Sequence, residues 1–298
     1  PVKQSGPLGT IIFDLKSVLH SLHQPGIFLT LGYNTAIFNL LHLIFGRSNI
    51  INMDGIEWKR GKWGRGAKAW FWINERLGCW FGSHLIADHP EIEKHLVTRV
   101  SSKKVTMIPY WAPLIDMAEE SFLQTYGLTP GKYSIIIARA EPENSILEIV
   151  KAFSVKKRHH QLVILGNYNI GMNPYHASVH AAASDEVLFL GAIYDADCVA
   201  SLRFYSRYYI HGHQVGGTNP SLVEALGAGC AVIAHANKYN RWVAGAAGLY
   251  FNDISSLANI FNSEFNDNTL RDNKRHEARL RHINSFMWDD ILTQYELL

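Results

Sequence analysis

The chain predicts an α/β protein built from two doubly wound, parallel-sheet domains, and three observations carry that expectation. Short apolar runs alternate with helical patterns from one end to the other, the signature of repeated strand and helix units. A length of 298 residues is that of roughly two ordinary domains. A composition of 47% hydrophobic and 18% charged residues supplies a sizeable core and excludes wholesale disorder.

Taken in order, the first half places strands at 27–31, 50–53, 84–87 and 105–109, with helical stretches at 15–22, 35–45, 65–81 and 90–100. The second half repeats the scheme with strands at 133–138, 161–165, 187–190, 208–211, 231–234 and 249–251. Turn residues collect in Tyr126-Gly127-Leu128-Thr129-Pro130-Gly131 just before a strongly apolar strand. They set the expected boundary, giving domains at 1–127 and 128–282 and a terminal helix within 283–298. Ligands of open parallel sheets sit at the carboxyl ends of the strands, so two such domains facing a cleft would hold a ligand there.

Residues 17–46 contain no Lys, Arg, Asp or Glu and so compete as a membrane span. Gln24, Pro25, Gly26, Gly32, Asn34, Asn39 and His42 interrupt them, whereas a spanning helix needs about 20 mostly apolar residues in a row. A buried strand followed by a helix is the better reading. The net charge of +2 is too mild for a nucleic-acid partner, which needs a strongly basic face. Cys79, Cys198 and Cys230 have neither metal-ligand spacing nor the even count of a disulfide framework, which fits a reducing, cytoplasmic compartment. The 15 histidines show no ligand spacing with carboxylates, so no metal is expected. Pro1 rather than Met opens the sequence, and an upstream segment is expected before it.

Three stretches after strand ends carry chemistry. In the first, a strand ending at His211 runs into a loop with Gly216, Gly217 and Thr218, and a helix starts at Asn219 and Pro220. Asn suits the cap and Pro the first helical position. Free N–H groups and the positive end of the helix dipole then suit a diphosphate, and the glycines allow close approach. Glu224, about one turn in, can accept hydrogen bonds from two ribose hydroxyls, or is simply a surface Glu on a capped helix. The second stretch, Ile135-Ile136-Ile137-Ala138-Arg139, ends a buried strand on a guanidinium placed for bidentate phosphate contacts, or on a solvated charge.

The third stretch is Asp54-Gly55-Ile56-Glu57-Trp58-Lys59-Arg60-Gly61-Lys62-Trp63. Asp54 and Glu57 can orient or deprotonate an acceptor hydroxyl, and Trp58, Lys59 and Arg60 can meet an acceptor sugar or phosphate. Five of the eight tryptophans fall between Trp58 and Trp80, and aromatic rings among cations suit sugar stacking or a membrane headgroup layer. The alternative is a core helix with a solvated basic face. Gly166-Asn167-Tyr168, Glu186 and Ala192-Ile193-Tyr194-Asp195 stand where a base pocket could form.

The run from Tyr209 to Ala234 resembles the nucleotide-sugar site of retaining GT-B glycosyltransferases, in the subgroup of bacterial rhamnosyltransferases of polysaccharide assembly. The form Gly-Gly-Thr-Asn-Pro-Ser and the stretch from Asn52 to Arg65 are similar to that subgroup's signatures. Two positions depart from the wider family: Gly216 stands where a Glu is usual, and Asn144 where a Lys is usual. The resemblance implies two Rossmann-like domains, the first lacking its N-terminal segment, and a last helix crossing back to that domain. It implies transfer of a sugar, rhamnose by subgroup, with retention, from a nucleoside diphosphate donor to a polysaccharide or lipid-linked saccharide. Arg139 would be catalytic with Asp54 and Glu57, and Asn144, His211, His213, Gly216, Gly217, Thr218, Asn219 and Glu224 would bind the donor with it. No cofactor besides the donor is implied, and peripheral contact with the inner face of the membrane is. Two other readings stay open: a GT-B nucleotide-sugar epimerase and a non-catalytic nucleotide-binding remnant.

Overall fold

The computed structural model describes residues 6–298, so residues 1–5 of the expected first domain lie outside the described residues. The chain folds into two compact units. The first runs up to Pro109 and takes in Val215–Gly217; the second comprises Tyr110–Gln214 and Thr218–Leu298.

The first unit is built from α1 (Gly6–Ser21), β1 (Phe28–Leu31), α2 (Asn39–Ile44), β2 (Asn49–Asn52), α3 (Arg65–Phe81), β3 (His84–Ala87), α4 (Pro90–Leu96) and β4 (Val105–Met107). Helix α1 starts well before the expected 15–22, because Gly9, Thr10, Ile11 and Ile12 are weak helix formers that local pattern leaves out. The uncharged stretch 17–46 ends α1 and forms β1 and α2, and no helix of the described residues is long and apolar enough to cross a membrane. All four strands are parallel in the order β1-β2-β3-β4. Strands β2 and β3 bury Ile51, Leu85, Ile86 and Ala87 completely, as strands covered on both faces do. Strand β1 is an edge, with Leu31 77% exposed.

The second unit contains α5 (Ser121–Thr125), β5 (Tyr133–Ile137), α6 (Ile146–Ser154), β6 (Gln161–Leu165), α7 (Pro174–Ala181), β7 (Val187–Gly191), α8 (Ala196–Phe204) and β8 (Tyr209–His211). It continues with α9 (Pro220–Gly227), β9 (Val232–His235), α10 (Lys238–Ala244), β10 (Gly248–Phe251), α11 (Ile254–Asn259), α12 (Asn268–Ile283) and α13 (Trp288–Glu296). Its six strands are parallel in the order β10-β9-β8-β5-β6-β7. Each strand of both sheets lies where its apolar run placed it.

Residues 110–127, grouped by sequence with the first domain, pack with the second unit. Ala112, Leu123 and Leu128 share one buried core with Tyr133, Leu202 and Leu226. His282 and Ala112 O lie 2.8 Å apart, and Ile115 N donates to Gly227 O at 2.9 Å. The Gly and Pro cluster at 125–132 is therefore a reversal inside a unit rather than a linker, since turn chemistry marks where a chain bends and not which core it joins. The terminal helix α13 sets Trp288 edge-on against Trp111, with centroids 4.6 Å apart.

Candidate nucleotide site in the second unit

Strands β5, β6 and β7 follow one another outward, and β8 then returns to the other side of β5, so the strand order reverses between β5 and β8. A crevice at the carboxyl ends of the strands is expected at such a switch point. Both strands end there in residues singled out by sequence: β5 runs into Arg139 and β8 ends at His211. A cavity of about 660 Å³ opens beside them, lined by Ala138, Arg139, Gly166, Asn167, Tyr194, Arg203, Asn219 and Glu224 among others. A smaller hollow of about 180 Å³ shares Ala138, Arg139, Asn219 and Ser221 with it and adds Asn144, His211 and His213.

Arg139 is exposed, and its guanidinium has no hydrogen-bond or ion-pair partner among the described residues. Its main chain is anchored, because Glu141 N and Asn144 Nδ2 both donate to Arg139 O, at 2.7 and 2.8 Å. Asn144 thus acts as a clip: with its amide nitrogen spent on Arg139 O, its Oδ1 accepts from His213 Nδ1 at 2.6 Å. Ser145, in the left-handed region at φ 52°, donates from Oγ to Gly212 O at 2.7 Å. Gly212 lies so close that a Cβ there would come within 2.1 Å of Asn144 O.

Helix α9 begins as expected. Asn219 Oδ1 accepts from Ser221 N at 3.0 Å, Pro220 occupies the first helical position, and Leu222 N and Val223 N donate to Asn219 O, so the start of the helix offers the positive end of its dipole rather than free N–H groups. Thr218 is buried at 3% exposure and lines neither hollow, while Gly216, with φ 107°, and Gly217 cluster with the first unit. His211 is 5% exposed, and burial, then the neighbouring His213 and His235, hold its imidazole far below the usual range. It faces the smaller hollow as a neutral ring whose buried Nε2 has no partner. A phosphate there would meet a hydrogen-bonding group rather than a cation.

Glu224 lines the larger cavity, with its carboxylate held by Arg203, which sequence reasoning missed. Arg203 comes from the last turn of α8, is 7% exposed, and also donates to Ser221 Oγ at 3.1 Å. Ser221 Oγ in turn pairs with Tyr209 OH at 2.7 Å, so a polar network runs beneath Glu224. The one sequence signal for it was a cation at a buried helical position beside Leu202.

The acceptor candidates lie in the first unit. Asp54 has a left-handed backbone at φ 49°, with its N–H donating to Asn52 Oδ1 at 3.1 Å. Its side chain reaches solvent, yet desolvation by the surrounding protein and then the nearby Glu57 raise its carboxyl above the ordinary value, against the opposing pull of the Gly55 N–H and Arg60. Glu57 is not a free base: one oxygen is engaged by Arg60 and the other accepts from Trp63 Nε1 at 2.9 Å. Arg60 is correspondingly committed to Glu57. Trp58 Nε1 donates to the fully buried Glu75, and Lys59 Nζ lies 5.3 Å from the Trp58 ring centre. Glu75, a second residue missed from sequence, also takes His95 at 3.0 Å and Arg99 at 3.3 Å.

Comparison with known proteins agrees with the fold. A family model described as a domain of unknown function (DUF1972) matches residues 15–113. No curated protein sequence matches the chain. Sucrose-phosphate synthase from Thermosynechococcus elongatus superposes with a TM-score of 0.81 at 17% identity, over 99% of this chain and 80% of that one. Anabaena HepE in complex with UDP and glucose gives 0.79 at 16% identity, over 98% and 82%. An α,α-trehalose-phosphate synthase (UDP-forming) from Burkholderia vietnamiensis gives 0.73 at 10% identity, over 99% and 81%. The likeness is one of fold: two parallel-sheet Rossmann-like domains, the GT-B arrangement of those structures.

Proposed function

We propose that this protein is a glycosyltransferase that moves a sugar from a nucleoside diphosphate donor to a polysaccharide or lipid-linked saccharide acceptor. The observation that carries the reading is the pair of features sharing one cavity at the switch point: an unpaired guanidinium, Arg139, and the capped start of α9 at Asn219. A departing diphosphate is stabilised by a cation carried on an anchored main chain and by the positive end of the α9 dipole. Glu224, held by Arg203, takes the ribose hydroxyls, and His211 and His213 meet the phosphate or sugar from the smaller hollow. Among the structural relatives, HepE in complex with UDP-glucose and with UDP and glucose supports a nucleotide-sugar ligand.

On the acceptor side we assign the proton of the attacking hydroxyl to Asp54, whose raised carboxyl suits a general base better than Glu57, already spent on Arg60 and Trp63. Trp58 and Lys59 offer a ring and a cation to the acceptor. Rhamnose as the transferred sugar, retention of configuration and a cytoplasmic setting follow from the resemblance of Gly216–Ser221 and Asn52–Arg65 to the rhamnosyltransferase subgroup. No cofactor beyond the donor is invoked. The test is incubation with a panel of radiolabelled nucleoside diphosphate sugars and membrane-extracted acceptors. Transfer of label with release of nucleoside diphosphate is expected, and a new nucleotide sugar without transfer would overturn the reading in favour of epimerisation.

A further inference from the structure

Helix α3 presents an outward side that the proposed chemistry does not use. Its inner side buries Asn74, Glu75, Gly78 and Cys79. On the other side Trp72, Ile73 and Trp80 remain 43%, 46% and 59% exposed, and Arg76 stacks over the Trp72 ring at 3.4 Å. Spacings of four place Lys68, Trp72, Arg76 and Trp80 on one stripe, with Arg65 three positions further back. Helix α2 packs against α3, and its Leu43 and Ile44 and the Phe45 that follows are exposed, at 54%, 66% and 61%. Large apolar side chains so exposed on two helices that pack together are not accounted for by a solvated helix face.

The charges choose the occupant. Helix α3 carries Arg65, Lys68 and Arg76, and its one acid, Glu75, is buried and neutralised by Arg99. Helix α2 carries no acid at all. Tryptophans interleaved with cations and free of exposed acids match the headgroup layer of an anionic bilayer, where the ring spans the polar boundary and the cations meet phosphate. We infer that the outward face of α3, with the exposed residues of α2, docks the protein on an anionic membrane surface. The inference deepens the lipid-linked acceptor reading, and its test is separate because vesicle binding needs no nucleotide.

The experiment is cosedimentation of the whole chain with phosphatidylcholine vesicles containing or lacking phosphatidylglycerol, with UDP binding followed by calorimetry in parallel. Pelleting only with phosphatidylglycerol, reversed by salt, is expected. Trp72→Glu with Trp80→Glu should lower partitioning by about tenfold or more. Arg65→Gln with Lys68→Gln should lower it by about 25-fold, taking about fivefold for each cation near an anionic surface. Both double variants should keep the wild-type melting temperature and UDP affinity; Arg65, Trp72 and Trp80 are exposed and Lys68 is half-buried, and the cation pair serves if the tryptophan pair fails to fold. Absence of pelleting, equal pelleting by wild type and variants, or a dimer in solution that Trp72→Glu dissolves would each overturn the proposal, the last by assigning the face to a second copy. Vesicle binding with no UDP binding would instead uphold the surface and remove the nucleotide reading.

Discussion

Arg139→Ala isolates the feature on which the nucleotide site depends. The guanidinium is exposed and has no partner among the described residues, while the main chain beneath it stays fixed by Glu141 N and Asn144 Nδ2. Its loss therefore costs the fold little, within about 0.5 kcal/mol for a surface position. A bidentate contact to a diphosphate comprises two charge-assisted hydrogen bonds, of about 1.5–3 kcal/mol each when desolvated. Exposure of Arg139 draws the sum toward about 2–4 kcal/mol, or about 30- to 1,000-fold in dissociation constant. Titration calorimetry with UDP and with uridine reads this directly. UDP should weaken by that factor and uridine should not, because uridine has no phosphate to lose. Arg139→Lys should restore part of the affinity, since the charge returns without the fork. A UDP affinity that falls less than about threefold, or uridine falling in step with it, would refute a phosphate role for this side chain.

Other perturbations test the supports of the site and the buried charges. Gly212→Ala drives a Cβ to within 2.1 Å of Asn144 O and 2.8 Å of Ile149 Cδ1. It should cost about 2–4 kcal/mol, seen in calorimetry as a melting temperature lower by about 2–4 °C for each kcal/mol. Burial alone would raise the Glu75 carboxyl, but hydrogen bonds from His95 and Trp58 and the contact with Arg99 outweigh it and hold the group below its usual range. Its contribution to stability is accordingly full above the unfolded value near 4.5 and fades as pH falls toward the lower folded value. Glu75→Gln should cost about 3 kcal/mol in denaturant melts at pH 7, with the difference from wild type shrinking below about pH 4.5. His160, 8% exposed and 3.0 Å from Ser134 Oγ, is pushed down to about 3 by burial, with Arg207 and Lys132 adding to it. The unfolded chain then takes up a proton below about 6.5 that the folded one refuses, so this stability is present above that pH and lost on acidification. His160→Gln should flatten the loss between about pH 6 and 4 by about 1.4 kcal/mol per pH unit, and an unchanged slope would show that His160 is not held neutral.

The sheets were legible from sequence because strands of parallel sheets are covered on both faces and read as unbroken apolar runs, as Ile135-Ile136-Ile137 and Leu162-Val163-Ile164-Leu165 do. The cap and first helical residue of α9 were legible because Asn219 and Pro220 act on the turn that contains them. Polar pairing is a different kind of information. Arg203 reaches Glu224 across 21 positions, and Glu75 reaches Trp58 across 17 and Arg99 across 24, distances over which no local periodicity operates. The domain boundary failed for a related reason: whether residues 110–127 join one core or the other depends on partners such as Tyr133 and His282 that lie beyond any local window.

That limit bears directly on which residues can act. By type and position Arg60, Glu57, Asn144 and Arg139 were equivalent candidates, four polar groups just past strand ends. Folding spends three of them: Arg60 and Glu57 on each other, and Asn144 on Arg139 O and His213. A group whose hydrogen bonds are already made inside the protein gains little from a ligand, because binding must first break what it replaces. Among the described residues the Arg139 guanidinium has nothing to give up, and the main chain that carries it is held by the same Asn144 that sequence offered as a second ligand contact. The guanidinium that remains unpaired at the switch point is therefore the residue whose charge a diphosphate would collect almost whole.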